Sequence, residues 1–119
     1  MFPSHSPQQA AIASQLLAEL DAYDAGLARL LESRWDPELY RDLSDRFDRI
    51  QMFAQAFPRL PVTFTELLIS RAELTHALWT LTVPSRVSGK VVAFHGQHKR
   101  LIAQMRERCG EYAPRNGGS

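Results

Sequence analysis

The residues best equipped for chemistry crowd into one short stretch, His95-Gly96-Gln97-His98-Lys99-Arg100. Two imidazoles and two cations in six positions suit a metal site, a grip on nucleic acid, or an ordinary turn of helix. Two further candidates lie outside it. Glu73-Leu74-Thr75-His76 has the Glu-x-x-His spacing that supplies carboxylate and imidazole ligands in di-iron bundles. Cys109 is the single thiol, a soft ligand and the sole sulfur nucleophile.

Helical phase argues against each of these. At about 100° per residue, Glu73 and His76 fall opposite the face that carries Leu67, Leu74, Leu78 and Leu81, so they point away from a core. No second Glu-x-x-His occurs. His95 and His98 sit on neighbouring helical positions, but no spacing fixes a third ligand. His98 and Cys109 share a face, yet they stand eleven residues apart, roughly 16 Å along a helix. Cys109 falls near a helix C-terminus, where the dipole opposes a thiolate, and its place between Met105 and Tyr112 suits a small core filler. No glycine-rich phosphate loop, Ser-His-Asp set or inward pair of carboxylates is present. The expectation is a chain with no catalytic residue, no metal and no cofactor.

The cations of the same region bear on nucleic acid. Net charge is only +1, but residues 1–60 carry −3 and residues 61–119 carry +4. The simpler reading is two halves that pack together; the sharper one is a separate patch for each of two partners. By phase, Lys90 and Arg108 flank one side of the last apolar stripe, Lys99 and Arg106 the other, and Arg100 the back. A groove-binding helix would gather them on one face, with aromatics interleaved for stacking. Scattered cations instead suit a solvated helix whose long stems cover the core edge. Nucleic-acid contact through Lys90, Lys99, Arg100, Arg106 and Arg108 is therefore the alternative function.

Four helices must position these residues. The first opens at Ser6-Pro7-Gln8-Gln9 and carries Ile12, Leu16, Leu20, Tyr23, Leu27, Leu30 and Leu31 at spacings of three and four. The second opens at Asp36-Pro37-Glu38, with cap, proline and acid in order, and runs through Leu39, Leu43, Phe47, Ile50, Ala54 and Phe57. Asp42 with Arg46, and Asp45 with Arg49, are acid-before-base pairs four apart. Beyond Pro58 and Pro61, Thr63 and Glu66 form a capping box, and Val62 with Leu67 a hydrophobic staple, for a third helix. Its face is broad: Phe64, Leu67, Leu68, Leu74, Leu78, Trp79 and Leu81. The fourth runs from about Arg86 to Tyr112 on Val87, Val91, Phe94, His98, Leu101, Met105, Cys109 and Tyr112.

These spacings predict an all-α, single-domain antiparallel four-helix bundle over residues 6–112, with a flexible stretch at 1–5 and a disordered tail at 113–119. The alternative is an α+β fold. Trp79-Thr80-Leu81-Thr82-Val83 alternates and Val91-Val92-Ala93-Phe94 favours strand, so a hairpin over about 79–95 is the competing arrangement.

Two polar residues stand on apolar faces: Arg71 between Leu67, Leu74 and Leu78, and His98 in the last stripe. Each needs a partner, because a buried unpaired charge or imidazole is costly. Glu19, Asp24 and Asp42 are the acids within reach of Arg71 by this reading. Trp35, Met52 and Trp79 are apolar residues that a bundle of this size would struggle to cover. With Arg71 and His98 they are the candidate interface or buried polar set. They point to a protein partner, a homo-oligomer included, for a chain acting as an adaptor, accessory or regulatory subunit. The opening MFPSHSPQQ lacks the basic and apolar runs of a secretory signal, no apolar run approaches the ~18 residues of a membrane span, and a lone cysteine suits a reducing compartment. A cytoplasmic protein is expected, with no membrane partner. Twelve arginines against two lysines suit a GC-rich, bacterial genome.

Overall fold

The computed structural model describes residues 7–33, 36–79 and 89–112. They form four helices: α1 Pro7–Ser33, α2 Pro37–Ala54, α3 Leu60–Trp79 and α4 Gly89–Gly110. The order of contact is a square. Helix α1 lies between α2 and α4, and α3 closes the far side against α4 and, less closely, α2. Neighbours run antiparallel, as cross-helix pairs show. Gln9 meets Ala56 and Glu19 meets Arg46 across α1 and α2, while Cys109 meets Ala13 and His98 meets Tyr23 across α4 and α1. The all-α antiparallel bundle is the observed fold, and no strand occurs among the described residues.

The hairpin is overturned. Residues 89–95 belong to α4 and Trp79 ends α3, so neither of its arms is extended where it is described. Residues 80–88 lie outside the described residues, as do the starting turns at 86–88, the terminal stretches and Trp35. The physical reason is that the 3.6-residue pattern of Val91, His98, Ile102, Met105 and Cys109 buries one continuous stripe, which an alternating strand could not do.

Helix α2 starts as its sequence requires. The Asp36 side chain accepts a hydrogen bond from the Leu39 amide at 3.0 Å, with Pro37 at the first helical position. Helix α3 does not. It begins at Leu60, three residues before the expected cap, and the capping box is absent. Pro61 then occupies the first turn, where its missing N–H costs nothing, and Leu60 turns fully inward. Thr63 is buried, its hydroxyl accepting from Arg108 Nη1 at 2.9 Å. Val62 is exposed, so there is no staple.

The core is built from Leu16, Leu20, Tyr23 and Leu27 of α1, Leu43, Phe47 and Ile50 of α2, Leu67 and Leu74 of α3, and Val91, Ile102 and Met105 of α4. Rings cluster at its centre: Phe47 lies 5.4 Å from Tyr23 and 5.0 Å from Phe64, centroid to centroid. Gly26 admits α2 closely; a Cβ there would come within 2.6 Å of Leu43 Cδ2. Ion pairs fasten the outside. Glu19 bridges Arg46 at 3.0 Å and Arg49 at 2.7 Å, and Asp21 receives Arg106 at 2.7 Å. Arg46 keeps the expected bond to Asp42, but Arg49 turns to Glu19, leaving Asp45 acting on it only through space.

Candidate functional site

His98 projects from the buried stripe of α4 and is fully enclosed. Its Nε2 lies 2.9 Å from Tyr23 Oη on α1 and its Nδ1 lies 2.6 Å from Ser70 Oγ on α3. The proton positions follow from the ends of the chain. Ser70 Oγ donates to the Leu67 carbonyl at 2.9 Å, so toward His98 it can only accept. Nδ1 therefore carries the imidazole proton and Nε2 accepts from the Tyr23 hydroxyl. Every polar atom of the series is satisfied by one directed run of bonds, from Tyr23 through His98 and Ser70 to the backbone of α3. Burial, reinforced by the charges of His95 and Arg71, depresses the His98 pKa to about 4, so the ring is neutral near pH 7. Burial raises the Tyr23 hydroxyl above its ordinary range, with the Arg71 charge opposing it.

Arg71 extends that network to α2. Its Nη2 donates to Ser44 Oγ at 2.9 Å, and its guanidinium lies 4.6 Å over the Phe47 ring. The expected acids are not its partners. Glu19 is taken by Arg46 and Arg49, and Asp42 by Arg46, on the opposite edge of α2. The buried Oδ1 of Asp24 has no hydrogen-bond partner among the described residues. None of the ion pairs among the described residues involves Arg71. A hydroxyl and an aromatic face do what a carboxylate was expected to do.

Beside Arg71 the α2–α3 seam stays partly open. A cavity of about 20 Å³ has its floor on Tyr23, Leu27 and Leu30 of α1. Its walls are Tyr40 and Leu43 on one side and Arg71, Thr75 and Leu78 on the other. Trp79 packs edge-on against Tyr40 at 6.1 Å, while more than half of its own surface, 58%, stays exposed. Leu68, placed by its spacing on the core face of α3, is also exposed, because Thr63, Ser70 and Ala77 take the side turned to α4.

Exposed apolar side chains gather on α3. Val62, Leu68, Ile69 and Trp79 face outward, joined by Met52 on α2 and Val92 on α4. Met52 and Trp79 were legible as candidates; Val62 and Ile69 were not, because by phase they lie among the polar residues Glu66, Glu73 and His76. The cations of α4 divide. Arg106 is held by Asp21 and Arg108 by Thr63, while Lys90, Lys99 and Arg100 remain exposed on different sides of the helix. Cys109 is fully buried, donates to the Ala13 carbonyl at 3.3 Å, and has its thiol pKa pushed up to about 11 by burial. Glu73 and His76 are exposed, away from the core.

His95, half-buried one turn from His98, has its pKa lowered by burial and Lys99, against the opposing charge of Asp24. Its Nε2 has no hydrogen-bond partner among the described residues. No group of three or more His, Cys, Asp or Glu among those residues is placed to hold a metal ion, and no helix among them is long and apolar enough to cross a membrane. No protein-family model matches the chain, and neither the curated proteins nor the solved structures contain a match to it.

Proposed function

We propose that this chain is a small helical interaction module, an adaptor, accessory or regulatory subunit of the bacterial cytoplasm, whose contact surface is the outward side of α3. One observation carries the reading: Val62, Leu68, Ile69 and Trp79 stand exposed on a single, strongly apolar helix. Helices of that composition are ordinarily covered, and clustered exposed apolar side chains mark contact surfaces. The polar interior supports the same reading. His98, Tyr23 and Ser70 satisfy one another, and Cys109 is enclosed, so neither group is presented to a substrate. The bonds of Arg106 and Arg108 within the bundle favour protein contact over nucleic acid.

Affinity capture from the native host tests it, with the wild-type chain and a Leu68→Glu, Ile69→Glu double variant as baits. Mass spectrometry is expected to find a defined set of proteins retained by the wild type and released by the variant. Identical sets on both baits would remove α3 as the contact surface. Light scattering across concentration shows in parallel whether a homo-oligomer is among the species the variant dissolves.

A further inference from the structure

Arg71 is a half-buried cation with no acid. All thirteen Asp and Glu side chains of the sequence fall within the described residues, and none of their ion pairs includes Arg71. The segments outside those residues, 1–6, 34–35, 80–88 and 113–119, contain no Asp or Glu. No carboxylate side chain elsewhere in the chain is left to arrive from them. A guanidinium has five donors in a planar fork. Ser44 takes one, the Tyr23 hydroxyl lies beside the fork, and the rest of the group borders the open α2–α3 seam. A leucine here would fill the seam at lower cost, since a half-buried charge without a counter-ion is a poor stabiliser.

The groove continues past Arg71 toward the end of α3: Thr75 is one turn along its wall, and Trp79 meets Tyr40 of the other wall edge-on. At about 100° per residue, Leu68 lies only some 20° around the helix from Thr75. Leu68, Arg71 and Trp79 thus mark an apolar, a cationic and an apolar position in series. Eleven residues separate the two ends, roughly 16 Å, or about three helical turns.

We infer that the α2–α3 groove docks an amphipathic helix of a partner protein, with one Asp or Glu of that helix paired to Arg71 and apolar residues on either side laid against Leu68 and Trp79. This rests on the interaction reading above and assigns its partner a chemistry. A helix laid along the three marks meets them at separations of three and eight residues, about one and two turns, as a docked helix presents its anchors. The carboxylate supplies the bidentate contact that Ser44 and Phe47 leave unmade.

The test uses the full chain, immobilised, and a displayed library of 16-residue helical segments. Selected sequences are expected to share an acid flanked by apolar residues one turn before it and two turns after it. Synthetic copies, labelled with fluorescein and followed by anisotropy, should lose at least tenfold in affinity to the Arg71→Met variant, whose thermal midpoint stays at or above that of the wild type. Thr75→Glu is the second variant. It places an acid one turn from Arg71 on the same helix, and it should weaken the same peptides without unfolding the bundle. An Arg71→Glu variant should bind peptides in which the acid is changed to arginine. Selection of nothing, or of peptides with no preferred acid that bind Arg71→Met unchanged, overturns the inference. Peptides lost on Ile69→Glu but kept on Arg71→Met and Thr75→Glu leave the outer face of α3 standing and remove the groove. A dimer of this chain that Arg71→Met dissolves makes a second copy the occupant and overturns the partner helix.

Discussion

His98 shows how much a single buried imidazole can govern. Enclosed between Tyr23 and Ser70, it is neutral in the folded bundle down to about pH 4, whereas the unfolded chain takes up the proton near 6.5. Between those values the unfolded state binds more protons, so stability is complete above pH 6.5 and falls as pH drops toward 4. At about 1.4 kcal/mol per pH unit the full loss is about 3 kcal/mol, of which about 2 is spent by pH 5. Urea midpoints at pH 7.5 and 5.0 should show that step, with His95, also lowered, adding in the same direction. His98→Gln, which cannot titrate, should be less stable at pH 7.5 but lose less on acidification; an unchanged pH slope would refute the assignment. Cys109 yields a second expectation at this scale. A thiol that is fully enclosed, bonded to the Ala13 carbonyl and held near pKa 11 should react with a disulfide reagent only as the bundle opens. Labelling at pH 8 should therefore speed up with urea in step with unfolding. Rapid labelling of the native protein would mean that α4 separates from α1 far below the global transition.

The elements were legible wherever local chemistry and burial agreed. Asp36-Pro37-Glu38 announces α2, and the periods of α1, α2 and α4 place their buried residues, His98 included. Where α3 begins was not legible. Thr63 and Glu66 make a sound local cap, but the fold prefers Thr63 inside, against Arg108, and Leu60 in the core. That choice depends on α4, which no spacing within α3 reveals. The partner of Arg71 was missed for a related reason. Acids were sought by type, whereas proximity across α2 selected Ser44 and the Phe47 ring. The same contrast between local and cross-helix bonds sets a ranking. Asp36→Ala removes a cap and should cost about 1 kcal/mol. Glu19→Gln breaks the α1–α2 clamp, but Arg46 and Arg49 are 31% and 40% exposed, so it should cost less than about 1 kcal/mol and shrink further at high salt. Burial raises the Glu19 carboxyl, yet hydrogen bonds from Arg49 and Arg46 outweigh it and hold the group below its usual value. The clamp should accordingly weaken as pH falls through that lowered pKa. Denaturation of the two variants in low and high salt checks the order; a Glu19→Gln loss larger than that of Asp36→Ala, and insensitive to salt, would reverse it.

At the scale of the whole molecule, the bundle separates what holds it together from what it offers. Stability resides in the stripe that includes Leu67 and Leu74, which are nearly or fully buried, and in the polar run from Tyr23 to Ser70. The outer face of α3 contributes little to that, because Leu68 and Ile69 are exposed by 43% and 57%. Substitution should tell the two apart within adjacent positions. Leu67→Ala opens a cavity in the core and should cost about 2–5 kcal/mol. Leu68→Ser and Ile69→Ser, one and two residues further on, should each change stability by no more than about 0.5 kcal/mol, and together they should raise the solubility of the isolated chain. Urea unfolding and concentration-dependent light scattering measure both effects. A large loss of stability in the serine variants would mean that these side chains are covered in solution by part of the same molecule, and the apolar side of α3 would then belong to the core. Near-neutral serine variants that scatter less light leave the side chains free for contact, as an interaction module requires.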